Sequence, residues 1–319
     1  MKVLITGGCG FQGIHLARHL VGLGHEITTV NIASDYATAN SRLLPADVHV
    51  EWADTGAGYD APTVDAVIAA CDVVINLAAR ASVSRSFGDP AATVITNVLG
   101  TQHVLDACAR YGRPLLHASS CEVYGRTPGL LAEDARFMPT TPYAATKGAA
   151  DLLVQAYAAS RPDLRAVILR PSNVFGPGQR SGVFGAVIPT FISRARKGLP
   201  LRVHGDGAQT REYLYVADVV KAYVHALDLL LDVHKPNLQV YNVGPAFPAV
   251  SIREIAEIIA RRFNATILHA ENRAGQIAGF HLDDAVFRRT GWSPAERDFE
   301  QELLLLCDND CLTYRDLSN

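Results

Sequence analysis

Tyr143 and Lys147 stand one helical turn apart in the run Thr140-Thr141-Pro142-Tyr143-Ala144-Ala145-Thr146-Lys147. On a helix, side chains at i and i+4 share one face, so the ammonium can hold the phenol as a partly ionised base. Such a base suits removal of a proton from a sugar or alcohol hydroxyl while a hydride leaves the same carbon. The pair alone is common, and its meaning depends on whether the chain also supplies a cofactor and a substrate site. A second group, Ser120-Cys121-Glu122, places a hydroxyl, a thiol and a carboxyl in succession. A carboxylate can remove a carbon-bound proton made acidic by a neighbouring ketone. A thiol, with an ordinary pKa of about 8.5, can donate a proton but is a poorer acid than a carboxylic acid.

The elements that must position these groups alternate. Lys2 to Thr6 is a short β-branched run that reads as a buried strand. Gly7-Gly8-Cys9-Gly10-Phe11-Gln12-Gly13 follows, with glycines at 7, 10 and 13, and then Ile14, Leu16, Ala17, Leu20, Val21 and Leu23 fall at helical spacing up to Gly24. In a strand–turn–helix context this is a dinucleotide-binding pattern: glycine lets the backbone approach a pyrophosphate, and the helix start offers it unpaired N–H groups. A tight turn without a ligand is the plainer alternative. Further strands are expected over Glu26–Val30, His49–Trp52, Asp72–Leu77, Pro114–Ser119 and Arg165–Arg170. One helix is expected from about Pro90 to Tyr111, with Pro90 in its first turn. Others are expected over Phe184–Arg196, Val216–Leu231 and Ser251–Phe263, with strands over Leu201–His204 and Val240–Val243.

The fold class is therefore α/β, a Rossmann-type doubly wound parallel sheet with a smaller C-terminal substrate-binding α/β subdomain. Residues 1–175 form the dinucleotide-binding core, 212–245 return to it, and 176–319 mainly bind substrate. Ligands then lie at the carboxyl ends of the strands, where Ser120, Cys121 and Glu122 sit. Asn31 ends the second strand in the place of the acid that usually holds the adenine ribose. It still hydrogen-bonds a ribose but repels no 2′-phosphate; with no Arg or Lys until Arg42, NAD is expected rather than NADP. Asp54 lies where a polar group often meets the adenine amino group, or it is a surface loop acid. Ala78 and Ala79 are small enough for the chain to pass beneath the cofactor ribose.

A hydrophobic content of 49% over 319 residues argues for a filled core, and a net charge of -3 gives no broad basic field for nucleic acid. No apolar run approaches the roughly 20 residues that span a bilayer, and the short N-terminal apolar run does not read as a signal peptide. A cytoplasmic protein is expected, with no membrane partner. The six cysteines form no Cys-x-x-Cys pair, so neither a metal site nor a disulfide framework is indicated. The polar tail after Asp308 is expected to be loosely ordered.

The chain resembles the extended short-chain dehydrogenase/reductase family, in its nucleotide-sugar epimerase/dehydratase branch. The matching pieces are 6–13, Asn76-Leu77-Ala78-Ala79, Asn97-Val98-Leu99-Gly100-Thr101, Ser119 to Gly125, Pro142 to Lys147, Leu169 to Gly178, His204 to Gly207 and Arg211 to Asp218. They stand in family order over nearly the whole chain. The resemblance implies that Tyr143 is the base at the sugar 4-hydroxyl, that Lys147 lowers its pKa and holds the nicotinamide ribose, and that Ser120 hydrogen-bonds the same sugar oxygen. Bound NAD would take the hydride from carbon 4 and be reoxidised within one turnover. Gly7, Gly10, Phe11, Gln12, Gly13, Asn31, Asp54, Leu77, Ala78, Ala79, Asn97, Tyr143 and Lys147 form the implied cofactor set. Arg85, Asn173, Val187, Arg211 and Arg273 form the implied substrate set for a UDP- or dTDP-linked sugar, the last two arginines on the diphosphate, whose oxygens a guanidinium matches in a fork. A homodimer through the helices near 90–112 and 146–160 is implied as well.

Glu122 resembles the 4,6-dehydratases and glucuronate decarboxylases more than simple 4-epimerases. Cys121 stands where dehydratases usually carry Asp, and Cys-Glu-Val-Tyr-Gly resembles the 5,6-dehydratase of tunicamycin-type pathways. Dehydration with Glu122 and Cys121 handling the carbon-5 proton and the leaving group is the expected reaction. A UDP-sugar 4-epimerase is the main alternative, with Cys121 a small packed residue and Glu122 only orienting the loop. UDP-glucuronate decarboxylase, an NADPH-dependent carbonyl reductase and a non-catalytic dinucleotide sensor are further readings. A reductase would not need Asn173, Arg211 and Arg273, and a sensor would not need Tyr143 and Lys147.

Overall fold

The computed structural model describes residues 1–182, 185–272, 275 and 277–309. Seven parallel strands make the central sheet: β1 (Lys2–Thr6), β2 (Glu26–Asn31), β3 (His49–Trp52), β4 (Val73–Asn76), β5 (Leu115–Ala118), β6 (Ala166–Pro171) and β7 (Leu238–Val243), in the order β7-β6-β5-β4-β1-β2-β3. Every residue of β4, β5 and β6 is buried, as expected of strands covered by helices on both faces. The helices Phe11–Gly22 and Val216–Leu231 pack with Val3, Ile5 and Leu116 on one face. Ala61–Ala70, Gly100–Tyr111 and Pro142–Ser160 pack with Leu4, Val74 and Leu115 on the other. Strand order reverses between β1 and β4, which opens a crevice at their carboxyl ends.

The helix expected over 90–111 is not continuous. It runs as α-helix over Pro90–Val94, widens into a π-turn over Ile95–Leu99, and resumes at Gly100–Tyr111. The wider turn carries Asn97, whose Oδ1 accepts from the Arg80 backbone N–H (2.8 Å) while Nδ2 donates to Thr146 Oγ1 (2.9 Å). A π-turn of this kind often marks a site where a side chain must be re-aimed. The helix Val187–Arg196 begins later than Phe184, which lies outside the described residues.

Beyond β6 a second core forms from Phe175, Ile192, Leu201, Tyr213, Ile259 and Leu303. It holds the helices Val187–Arg196, Ile252–Phe263 and Phe299–Asp308 around a two-stranded parallel pair, Leu201–His204 with Ile267–Ala270. Ser251 and Glu254 start Ile252–Phe263 with a reciprocal capping box. The chain returns to the large sheet through Tyr213–Tyr215 and Val216–Leu231, and again through Phe287 and Trp292, which join the core beneath β7. Residues 310–319, including Cys311 and most of the polar tail, lie outside the described residues.

Candidate active site

Thr141 starts the helix that carries Tyr143. Its side chain accepts from the Ala144 N–H at 3.1 Å, and Pro142 occupies the first turn, where a missing N–H costs nothing. Tyr143 is fixed further by Ser86, whose Oγ accepts the Tyr143 N–H (3.1 Å), and by Thr146, whose Oγ1 donates to the Tyr143 carbonyl (2.8 Å). One turn on, Lys147 is buried and its Nζ donates to the Ala118 carbonyl at 2.5 Å, at the carboxyl end of β5. Ser120 lies two residues beyond that carbonyl and caps a short 3₁₀ turn, Cys121–Tyr124; its Oγ accepts the Glu122 N–H at 3.2 Å. The end of β5 and the first turns of the Pro142–Ser160 helix thereby bring Ser120, Cys121, Glu122, Tyr143 and Lys147 together.

Burial pushes the Tyr143 phenol up, the Glu122 carboxylate and Cys121 push it further, and a hydrogen bond with Ser120 pulls it back. The Lys147 ammonium is directed to the Ala118 carbonyl. Burial draws Lys147 down to about 8, against the Asp151 carboxylate, which holds it up. Burial raises the Glu122 carboxyl and the Arg211 guanidinium opposes that. Cys121 is 1% exposed and packs with Val123, Tyr124, Leu131, Ile277 and Phe280. Burial and the Glu122 and Glu212 carboxylates raise its thiol well above the usual range, so it stays protonated.

The residues expected on substrate lie on several elements. Arg211 is in the short strand Thr210–Arg211; its guanidinium donates to the Thr210 and Ile277 carbonyls (2.7 and 3.2 Å) over the Phe280 ring. Asn173 opens Asn173–Phe175, which pairs with Tyr213–Tyr215, and both its N–H and its Nδ2 donate to the Glu212 carbonyl. Arg85 is on the short helix Val83–Gly88 that also supplies Ser86, and Val187 begins its helix against the second core. Arg273 lies outside the described residues. A cleft of about 650 Å³ opens between Gly125–Gly129 and the segment 277–281, with Thr210 on its wall.

Opposite, the crevice between β1 and β4 holds the glycine turn. Gly7 has φ +71, and the Gly10 N–H returns to its carbonyl at 2.9 Å. A Cβ on Gly13 would stand 2.6 Å from Gly7 O and from the Gly8 Cα, so the helix start can close on the turn only with glycine there. Phe11 edges onto His15, and Gln12 Oε1 accepts from Tyr223 OH (2.9 Å). Leu77 and Ala78 leave β4 with their N–H groups on Thr6 O and Thr6 Oγ1, and Ala79 follows.

Residues 3–244 match the model for the NAD dependent epimerase/dehydratase family. The chain belongs to that family. It is 36% identical over 313 residues to the low-salt glycan biosynthesis protein Agl12 of Haloferax volcanii, covering 95% of this chain and 96% of that protein. It is 36% identical over 328 residues to a dTDP-glucose 4,6-dehydratase of Streptomyces antibioticus, covering 99% and 93%. The UDP-glucuronic acid 4-epimerase of Bacillus cereus, solved with UDP-glucuronic acid and NAD, superposes with a TM-score of 0.86 at 27% identity over 97% of this chain and 98% of that one.

As a member of the epimerase/dehydratase family the protein is an NAD-dependent enzyme, and its glycine turn fits a dinucleotide: Gly7 and Gly13 let the turn close tightly against Ala78 and the helix start, where unpaired N–H groups can meet a pyrophosphate. Two residues expected on the adenosine end make hydrogen bonds within the chain. Asn31 is buried; its Oδ1 accepts the Cys9 N–H (2.7 Å) and its Nδ2 donates to Thr29 Oγ1 (3.1 Å), so its amide braces the glycine turn. Asp54 binds the Gly56 and Gly58 N–H groups with its two oxygens (2.6 and 2.8 Å), which makes it a loop-forming acid. Asn97 likewise ties the loop after β4 to the Tyr143 helix.

Sequence reasoning missed the support behind Lys147. Asp151 is fully buried and accepts from Arg170 Nε and Nη2 and from Ser119 Oγ. The available signal was its position, one turn after Lys147 on the same face. Glu212, within a motif already noted, also reaches the Cys121 side of the site, where it meets His281 Nδ1 at 3.5 Å.

Proposed function

We propose that the enzyme dehydrates a nucleotide-diphosphate sugar through a 4-keto intermediate. The observation that carries this reading is the Glu122 carboxyl, held beside the Tyr143 phenol and opposed by Arg211. Its pKa, raised by burial, suits a group that takes a proton and passes it on. Tyr143 takes the proton of the 4-hydroxyl, with Ser120 stabilising the phenolate. NAD, when held there, would supply the hydride acceptor for carbon 4 and, once reduced, the hydride donor that closes the turnover. With a ketone at carbon 4, Glu122 removes the carbon-5 proton; the carbon 6–oxygen bond breaks, and a proton delivered to the leaving oxygen releases it as water. Cys121, kept protonated, is the group this reading assigns to donate that proton. Gly7, Gly10, Gly13, Ala78 and Lys147 hold the cofactor, and Asn173, Arg211, Arg85, Val187 and Arg273 hold the nucleotide diphosphate. The dehydratase name of one relative supports the same reading.

A 4-epimerase is the second reading, favoured by one observation: the Cys121 thiol packs in an apolar cluster, as a structural residue would. The test is incubation with UDP-glucose, UDP-N-acetylglucosamine, UDP-glucuronate and dTDP-glucose in deuterated water. Loss of water with deuterium in the product supports dehydration. An unlabelled epimer overturns it, and carbon dioxide from glucuronate points to decarboxylation.

The same reading divides the chain into a cofactor-binding part, 1–175 with 212–245, and a mainly substrate-binding part, 176–319. It includes a homodimer through the helices near 90–112 and 146–160, supported by exposed Val94 and Leu152 on them. A cytoplasmic location is supported by five buried free thiols, which suit a reducing compartment. Among the described residues no helix is long and apolar enough to cross a membrane.

A further inference from the structure

Lys147 and Asp151 occupy successive turns of Pro142–Ser160 and face inward. Asp151 is 0% exposed, and an isolated carboxylate there would be prohibitively desolvated. Arg170 on β6 resolves this with a fork: Nε to Oδ2 at 2.8 Å and Nη2 to Oδ1 at 3.0 Å. Ser119 Oγ donates to Oδ2 and Gln155 Nε2 to Oδ1, both at 2.7 Å. The remaining Arg170 nitrogen donates to Tyr124 OH and to the Glu133 carbonyl, and the Phe137 ring covers its carbon at 4.8 Å. Ser119 directly follows Ala118, whose carbonyl takes the Lys147 ammonium. One buried carboxylate therefore lies in the fork of one buried cation and one helical turn from another, and a single serine links it to the strand end that positions the lysine.

We propose that Asp151 is a positioning residue for the reaction: clamped by Arg170 and Ser119, it keeps the Lys147 ammonium charged and seated at the end of β5. This rests on the assignment of Lys147 made above. The groups that face Lys147 leave the task to Asp151. His117 of β5 is buried and neutral, with its Nδ1 on Asn76 Nδ2. Tyr143 on the same helix is a neutral phenol in the resting protein, Ser119 and Ser120 carry no charge, and Arg170 is a like charge. Burial alone draws the ammonium toward neutrality, and Asp151 is the anion that resists it. Without the carboxylate, burial would act on the Lys147 ammonium unopposed, and the lysine, with a lower intrinsic pKa than arginine, would lose its proton first.

The test reads Lys147 directly. The titration of its side chain is followed by NMR in ¹³C-lysine-labelled, cofactor-loaded protein, beside the pH profile of kcat/KM. Asp151→Asn is expected to lower the Lys147 midpoint by about one pH unit or more, the effect of removing an opposite charge at short range, and to bring the alkaline limb of kcat/KM down with it. Asp151→Glu keeps the charge and is expected to stay near the wild-type midpoint. Ser119→Ala frees the carboxylate from the strand end that seats the lysine and is expected to lower the midpoint in the same direction by a smaller amount, so it decides the matter if Asp151→Asn does not fold. Midpoints unchanged in the folded variants overturn the proposal. A midpoint that shifts while the alkaline limb stays in place supports the hold of Asp151 on the ammonium and counts against the catalytic assignment of Lys147.

Discussion

Gly7 and Ala78 approach so closely across the β1–β4 crevice that a Cβ built on Gly7 would stand 2.9 Å from the Ala78 Cα. The contact is backbone against backbone, so no side-chain rotation relieves it. Gly7 also has φ +71, where an L-residue is strained. Gly7→Ala is expected to combine both costs, about 2–4 kcal/mol together, and to widen the floor on which the pyrophosphate sits. The purified variant should carry much less NAD(H) and melt several degrees lower. Full cofactor content with an unchanged Tm would contradict the cradle.

Tyr143 and Glu122 are predicted to fail at different steps. On the proposed mechanism Tyr143→Phe removes the base for the 4-hydroxyl and should lower kcat by about 10²–10⁴, with no reduced cofactor building up. Glu122→Gln keeps Tyr143 and Ser120, so oxidation at carbon 4 proceeds. Exchange at carbon 5 stops, and reduced-cofactor absorbance and a 4-keto sugar accumulate. Deuterium entering carbon 5 at the wild-type rate in Glu122→Gln would remove the carboxylate from the mechanism.

Cys121 is predicted to be chemically silent in the folded protein. Alkylation needs a thiolate and access, whereas Cys121 is 1% exposed with its thiol pushed upward. Treatment with iodoacetamide at mildly alkaline pH, read by peptide mass spectrometry, should leave Cys121 unlabelled until the protein is denatured. Labelling of the native protein at that position would show the cluster to be open.

Stability is predicted to fall on mild acidification. His117 is buried, and burial and the nearby Lys147 lower its pKa from 6.5 to about 3; its Nε2 has no hydrogen-bond partner among the described residues. The folded value lies below the unfolded one, so the unfolded chain binds the extra proton. The stabilisation is complete above pH 6.5 and is lost as the pH falls toward 3. The slope approaches about 1.4 kcal/mol per pH unit. His15, lowered to about 4 mainly by burial, adds in the same direction. The Tm should drop between neutral pH and pH 5, and His117→Gln should flatten that drop; an equal slope in both proteins would assign it elsewhere.

The sheet was legible in the sequence because its strands are short apolar runs bounded by glycine turns and amphipathic helices, and β3 and Val216–Leu231 match their expected limits. Tyr143 and Lys147 were legible for a similar reason, since i,i+4 spacing is local. What escaped depends on distance or direction. The partner of Asp151 lies 19 residues away on β6, and no local period announces it. Asn31 was placed at the right strand end, but whether its amide faces a ribose or the Cys9 N–H depends on packing. The π-turn at Ile95–Leu99 inserts its extra width within one turn, too little to disturb a pattern read over several. The strand Ile267–Ala270 is four residues long, too short for a period to show.

The chain does not leave the large sheet once and finish elsewhere. After β6 it passes into the second core, comes back through Tyr213–Tyr215 to β7, goes out to Ile252–Phe263, and comes back once more to bury Phe287 and Trp292 before the last helix. The two cores are thus sewn together, and no single cut frees either one with its own hydrophobic residues intact. A fragment ending near residue 175 would lack β7 and the helix that covers one face of the sheet. The enzyme should therefore unfold in a single calorimetric transition, its catalytic cleft vanishing together with both of its walls.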